Sequence, residues 1–327
     1  MLEGITVLDL ASVGPGPRCS WILADLGADV VKIVAPASAG RIDPAPHTYG
    51  AGRGTRKIEI DLKNDRDAFL ALADTADVIV ESYRPGVAAR LGVDYATVKE
   101  GNPRIVYAAI TGYGQDGPHA QWAGHDLNYL ALGGYLATQG NALPGATVAD
   151  SAGGGMHAAI SILAALLQRE RTGEGAYLDV STTNGVLYLM ALQIDQFLAT
   201  GEEAAPRTTL LTGKYACYQV YECADGKHLS VGAIEPKFFA NLCDALGLPE
   251  LAQHQMVDDM QDSLRVAIQD RLLAKGRDEW VEELASKDTC VAPILSVGEV
   301  AGVFRTQQAP GHDFRQLAPL IAGSVKR

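Results

Sequence analysis

ITVLDLASVGPGPRCSWILADLGADVVKIV, residues 5–34, decides the fold. Residues 5–10 are a short apolar run of the length of a buried strand, and the glycine-proline stretch at 13–17 breaks it. A helical spacing follows through Trp21, Ile22, Ala24 and Leu26, with Pro17 expected at its start and Gly27 at its end. Residues 29–34 then form a second apolar strand. Strand, helix and strand at this spacing make a βαβ unit, and such a unit requires a parallel sheet.

The pattern repeats downstream. Strands are expected over 57–62, 78–83 and 105–110, with a helix over 65–73. The first half therefore reads as a doubly wound, Rossmann-like α/β domain. From about Tyr215 the texture changes to two β-type runs, 215–222 and 228–233, around the turn signal Asp225-Gly226. Helical stretches over 236–246, 263–274 and 278–285 complete a smaller α+β domain. The expected division is a large domain over 1–190, a link over 191–212 and a small domain over 213–304, with 305–327 returning to the large one.

The chain has 327 residues and a formal charge of −12, from 39 acidic groups against 27 Lys and Arg. That balance argues against general binding of nucleic acid or an anionic membrane surface, so a bound anion needs a local cluster of cations. The first residues lack the basic and apolar regions of a signal peptide, and no uninterrupted apolar run reaches the length of a membrane span. The five cysteines show no CxxC pair. Isolated thiols in a reducing compartment, and hence a cytoplasmic protein, are expected.

Gly14-Pro-Gly-Pro-Arg-Cys19 resembles a dinucleotide loop only superficially. The place of the third glycine holds Cys19, and two prolines remove backbone donors that a pyrophosphate would need. No nicotinamide cofactor is expected. Loop cations Arg53, Arg56, Lys57, Lys63 and Arg84 are better candidates for phosphate, because Lys63 and Arg84 are expected at the carboxyl ends of parallel strands.

Three further segments carry acid–base groups. In Gly124-His-Asp-Leu-Asn-Tyr129, His125 sits at or just before a helix start, where the positive dipole end would lower its pKa and leave a neutral base; it could equally serve only as a helix-start residue. In Asp150-Ser-Ala-Gly-Gly-Gly155, Asp150 reads as an N-cap, although three glycines exceed what capping needs and could let a ligand approach N–H groups. The helix dipole and a dry pocket would move the Asp150 pKa in opposite directions. In Ala233-Ile-Glu-Pro236, Glu235 is a poor cap and could orient another group. The histidines form no metal spacing, so no metal site is expected.

The runs LADLGADVVK at 23–32, IDLK at 60–63, RPGV at 84–87 and GYGQDGP at 112–118 resemble the family III coenzyme A-transferase superfamily. The likeness extends from Leu2 to about Ser296. Within that superfamily, Gly124-His125-Asp126, Asp150 before its glycines, and 221–235 running into Ile234-Glu235-Pro236 resemble the α-methylacyl-CoA racemase branch. The resemblance implies a two-domain fold in an interlocked homodimer and an acyl-CoA thioester substrate. Coenzyme A would belong to the substrate, with no separate cofactor. His125 and Asp150 would move the α-proton and Glu235 would orient His125 across the subunit boundary. Arg53, Lys63, Arg84, Tyr129, Gly153 and Gly154 would hold the coenzyme A portion. The family usually carries a longer tail than the one following Ser296 here. A CoA-transferase using Asp150 as nucleophile and a non-catalytic acyl-CoA-binding homologue are the alternatives.

Overall fold

The structure, a computed structural model, describes residues 1–37, 45 and 54–319. Six strands make one sheet: β1 (Thr6–Asp9), β2 (Asp29–Val34), β3 (Thr55–Glu59), β4 (Val78–Glu81), β5 (Val106–Thr111) and β6 (Ala176–Ser181). Their order is β3-β2-β1-β4-β5-β6 and every pairing is parallel. The parallel pairing is what the opening βαβ unit demands, and the strand order is doubly wound as expected. The order reverses between β1 and β4, and the crevice beyond their carboxyl ends is where open sheets of this kind take ligands.

Alternation along the strands sorts side chains between two layers. Val7, Val30, Val80, Ala108 and Ile110 face Cys19 and Leu23 of α1 (Pro15–Asp25), together with Ala158, Ile162 and Leu166 of a later helix. Leu8, Val31, Ile79 and Tyr107 face the other way, onto α2 (Arg66–Ala73), α3 (Val87–Leu91) and α4 (Tyr95–Gly101). These helices supply Phe69, Ala88 and Val98 to that layer. Two helices, α5 (Asp126–Leu132) and the single turn α6 (Tyr135–Thr138), precede a π-helical stretch, Ala149–Met156. The stretch runs without a break into α7 (His157–Thr172), the helix that carries Ala158, Ile162 and Leu166. Together they span 24 residues and are long and apolar enough to cross a membrane by length and composition, yet half of the most apolar window is buried.

Several boundaries differ from the sequence reading. Helix α1 starts at Pro15, not Pro17, because either proline satisfies the first helical turn, whose N–H groups have no partner within the helix. Strand β3 covers Thr55–Glu59 where 57–62 was expected. It is an edge strand with a mostly polar, exposed sequence, and the alternating Ile58, Ile60 and Leu62 draw the eye too far along. The other edge strand, β6, was not expected; its AYLDVS sequence mixes apolar and polar residues, with Tyr177 and Asp179 exposed. Residues 191–200, expected in a link, form α9 (Ala191–Thr200) after α8 (Thr182–Leu189), with Ile194, Phe197 and Leu198 at helical spacing.

Contacts divide the chain into two units. One holds Met1–Tyr135, Leu143–Leu192 and the chain from Arg305, including the hairpin β10 (Thr306–Gln308) and β11 (Arg315–Leu317). The other holds Leu136–Ala142 and Gln193–Phe304. In this second unit β7 (Tyr218–Glu222) and β8 (His228–Gly232) pair antiparallel around Gly226, whose φ of 72° suits a hairpin turn. A short β9 (Val291–Pro293) adds to β8. Helices α10 (Pro236–Ala245), α11 (Gln261–Leu272) and α12 (Arg277–Leu284) cover the sheet, and α13 (Val297–Val303) follows. The core joins Tyr221, Leu229 and Val231 to Phe239, Leu242, Ile268 and Trp280.

Candidate active site

The site begins where β1 ends. Gly14 caps α1 with φ 77°, a left-handed conformation that only glycine adopts easily. A Cβ at Gly14 would lie 3.8 Å from Asp150 Oδ2, so the carboxylate lies over this loop, next to the switch point of the sheet. One turn into α1, Arg18 reaches back across the loop. Its Nη1 donates to the Gly14 carbonyl at 2.9 Å, its Nε to Ser151 Oγ at 3.0 Å and its Nη2 to Thr147 Oγ1 at 2.7 Å. Nη1 lies 4.0 Å from Asp150 Oδ2.

Asp150 is not an N-cap. Val148 holds that position, and Asp150 sits in the first turn of the π-helical stretch. The three glycines are therefore inside a helix rather than before one. Their missing side chains are taken up by neighbours: a Cβ would meet the Thr182 carbonyl at 2.8 Å from Gly153, Pro15 Cβ at 2.4 Å from Gly154, and Arg18 Cβ at 2.8 Å from Gly155. The sequence ADSAGGGM lets α1 and α8 close on both sides of this turn. Packing thus accounts for the smallness of Gly153 and Gly154, which were expected to face coenzyme A.

His125 is the N-cap of α5, with extended backbone and an exposed side chain. Its N–H donates to Asn128 Oδ1 at 3.0 Å, so side chain and cap fix each other's place. The next residue makes the link to Asp150: Asp126 Oδ1 accepts the Asp150 N–H at 2.8 Å. One hydrogen bond therefore joins the two helix starts and brings His125 and Asp150 into one neighbourhood. Tyr129 lies buried beneath this loop. Its hydroxyl donates to the Gly124 carbonyl at 2.6 Å, and its ring fills the space left by Gly112 and Gly124.

Burial raises the Asp150 pKa above the ordinary carboxyl range, Arg18 and His125 oppose that rise, and Asp126 adds to it. Desolvation wins the contest that the sequence left open. Burial, helped by the negative charge of Asp150, pushes Tyr129 up to about 12, which keeps it a hydroxyl donor at physiological pH.

The expected phosphate cations are spread out. Arg53 lies outside the described residues. Lys63 is not at a strand end: β3 stops at Glu59, and Lys63 follows a turn in which its N–H donates to Asp61 Oδ1 at 3.0 Å. It lines a polar pocket of about 450 Å³ with Arg66 and Arg90. Exposed Arg84 lies on the loop after β4 and lines a pocket of about 260 Å³ with Glu81, Tyr107 and Tyr177, and its charge is felt at Tyr129. Arg56 near the start of β3 pairs with Asp29 at the start of β2, at the amino end of the sheet. Glu235 belongs to the second unit, where it is the exposed N-cap of α10 and its side chain makes no capping hydrogen bond. Sequence reading gave no role to Arg18 or Asp126; the charge of each, beside a glycine loop or a histidine, was the available signal.

Human alpha-methylacyl-CoA racemase is 38% identical over 310 residues, covering 91% of this chain and 79% of that protein. Acetyl-CoA:oxalate CoA-transferase from Acetobacter aceti is 32% identical over 331 residues, covering 93% of this chain and 83% of the relative. A CAIB/BAIF family protein from Brucella suis, solved as a crystal structure, superposes with a TM-score of 0.77 at 28% identity, covering 92% of this chain and 85% of that one. Residues 2–311 match the pattern of CoA-transferase family III. With this match and the doubly wound fold together, the chain belongs to CoA-transferase family III.

Proposed function

We propose that this protein is a racemase of 2-methylacyl-CoA thioesters, removing the α-proton from one face of the α-carbon and returning a proton to the other. The observation that carries the reading is the joining of Asp150, a buried carboxyl with a raised pKa, to the residue beside His125 through the 2.8 Å bond from its own N–H to Asp126. A thioester acidifies its α-carbon, but the group that takes the proton must also be able to give one back. A carboxyl titrating above its ordinary range does both better than a solvated one, since catalysis is most efficient when the group's pKa is near the working pH.

In this reading His125 and Asp150 stand on opposite sides of the α-carbon. One accepts the proton, an enolate forms, and the other, already protonated, delivers a proton to the opposite face. Negative charge on the thioester oxygen is met by the positive end of the helix that opens at Ala149. Coenzyme A enters as part of the substrate, with Lys63 and Arg84 as candidate phosphate partners. Glu235 would orient His125 from a second copy of the chain, and an active monomer would remove that part of the proposal. Support from relatives is the 38% identity to a racemase across 91% of the chain.

The test is exchange without an acceptor. One enantiomer of a 2-methylacyl-CoA is incubated with the protein in D₂O and the α-proton is followed by NMR. The expected result is loss of that signal with appearance of the other enantiomer. A static α-proton, with new thioester appearing only after a carboxylate acceptor is added, would instead make Asp150 a nucleophile that attacks the thioester carbonyl and releases the CoA thiolate.

A further inference from the structure

We propose that Arg18 is a positioning residue for Asp150, holding a fixed positive charge beside the carboxylate without bonding to it and so setting the lowest pH at which the site works. The inference rests on the reading of Asp150 as a proton-transfer group.

Hydrogen bonds hold the guanidinium to Gly14 at the end of the β1–α1 loop and to Thr147 and Ser151 on either side of Asp150 in sequence. The side chain is 18% exposed and the carboxylate 12%. A fork tied at Nε, Nη1 and Nη2 cannot swing away, so its charge stays in place at low solvent screening. At 4.0 Å the nearest nitrogen is beyond hydrogen-bond range of Asp150 Oδ2. The distance separates two effects. The carboxylate feels the charge, yet this contact does not occupy the oxygen that must take a proton.

Other charged and titratable groups around Asp150 act differently. From α5 and its cap come Asp126, which opposes ionisation of Asp150, His125, which favours it only when protonated, and Tyr129, an uncharged hydroxyl whose own pKa Asp150 raises. Helix α8, packed on the other side, brings Thr182 and Val186 and no Asp, Glu, Lys or Arg. Among the described residues around Asp150, Arg18 is thus the one permanent cation. A residue serving only to tie the loop to the helix would need the hydrogen bonds but not the charge.

The experiment compares Arg18→Met, which keeps length and loses charge, with wild type. It records the pH profile of α-proton exchange, the melting temperature, and the titration of the Asp150 carboxyl by ¹³C NMR, assigned with Asp150→Asn. The expected result is an acidic limb moved to higher pH, with exchange at the acid end lower by on the order of tenfold and the plateau much less affected. The carboxyl titration should move the same way. Arg18→Lys should restore part of the shift. Should Arg18→Met not fold, the pair Thr147→Val with Ser151→Ala keeps the arginine but frees its fork, and the limb is expected to move up by a smaller step. Profiles parallel to wild type at every pH, with an unmoved carboxyl titration, would reduce Arg18 to a structural tie. If wild type exchanges no α-proton at all, the racemase reading falls, while the carboxyl titration still decides the role of Arg18.

Discussion

The ends of β1 and β4 lie side by side at the switch point of the sheet, and each carries a buried carboxylate. Asp9, 1% exposed, receives Lys32 Nζ at 2.9 Å and the Ala11 N–H at 2.8 Å. Glu81, 4% exposed, receives the Tyr83 N–H at 2.6 Å, and no ion pair of Glu81 occurs among the described residues. Burial pushes Glu81 up to about 7. Asp150 falls between the two, with its cation at 4.0 Å and a pKa raised but held back. The distance of the counter-charge grades these buried carboxylates: salt-bridged at Asp9, partly compensated at Asp150, and at Glu81 a group whose charge the fold tolerates poorly.

The largest effect should come from the middle member of this series. Asp150→Asn removes the titrating group at constant shape and should lower α-proton exchange by roughly a hundred- to ten-thousandfold, with stability unchanged or slightly higher. Exchange retained to within tenfold would detach Asp150 from the chemistry. Next is the paired end. Lys32→Met leaves Asp9 buried without its partner and should cost about 3–5 kcal/mol in denaturant unfolding at pH 7. A loss under about 1 kcal/mol would mean that Asp9 does not depend on the lysine.

The smallest effect has the opposite sign. Raising a carboxyl from 4.5 to about 7 corresponds to on the order of 3 kcal/mol of stability that is present below pH 4.5 and lost as pH rises through 7. Glu81→Gln is neutral throughout, so it should be more stable than wild type at pH 8 by up to about that amount, with the advantage fading towards pH 4. Equal stability at pH 8 and pH 4 would show that Glu81 is better solvated than its burial suggests, and the contrast with Asp9 would narrow.

What could be read from sequence follows the same division between local and distant causes. The β1–α1–β2 unit was legible because its strands are buried on both faces, and Val7, Val30 and Val31 announce that burial in a continuous run. The β7–β8 hairpin was legible from Asp225-Gly226 between two β-type runs. Edge strands β3 and β6 were blurred or silent, since one open side admits polar residues. His125 and Asp150 stood out by residue type at helix starts. Arg18 did not, because its partners Ser151 and Thr147 are 133 and 129 residues away. The glycines were noticed, but the packing that requires them was not. What they avoid is Pro15, Arg18 and Thr182, which no window around residue 153 contains.

The π-helical stretch has a consequence for how this site could be switched off by mutation. Wider turns of this kind behave as one residue inserted into an α-helix, and they recur at functional sites. Ala149–Met156 is continuous with α7, so deleting one glycine offers the chain an unbroken α-helix from the same sequence. Everything from His157 onward could keep its seat against the sheet. Everything before the deletion would turn by about 100° around the helix axis. Asp150 would leave its place over Gly14 while the core stayed whole. The place of Asp150 over the β1–α1 loop therefore depends on a single surplus residue in this helix.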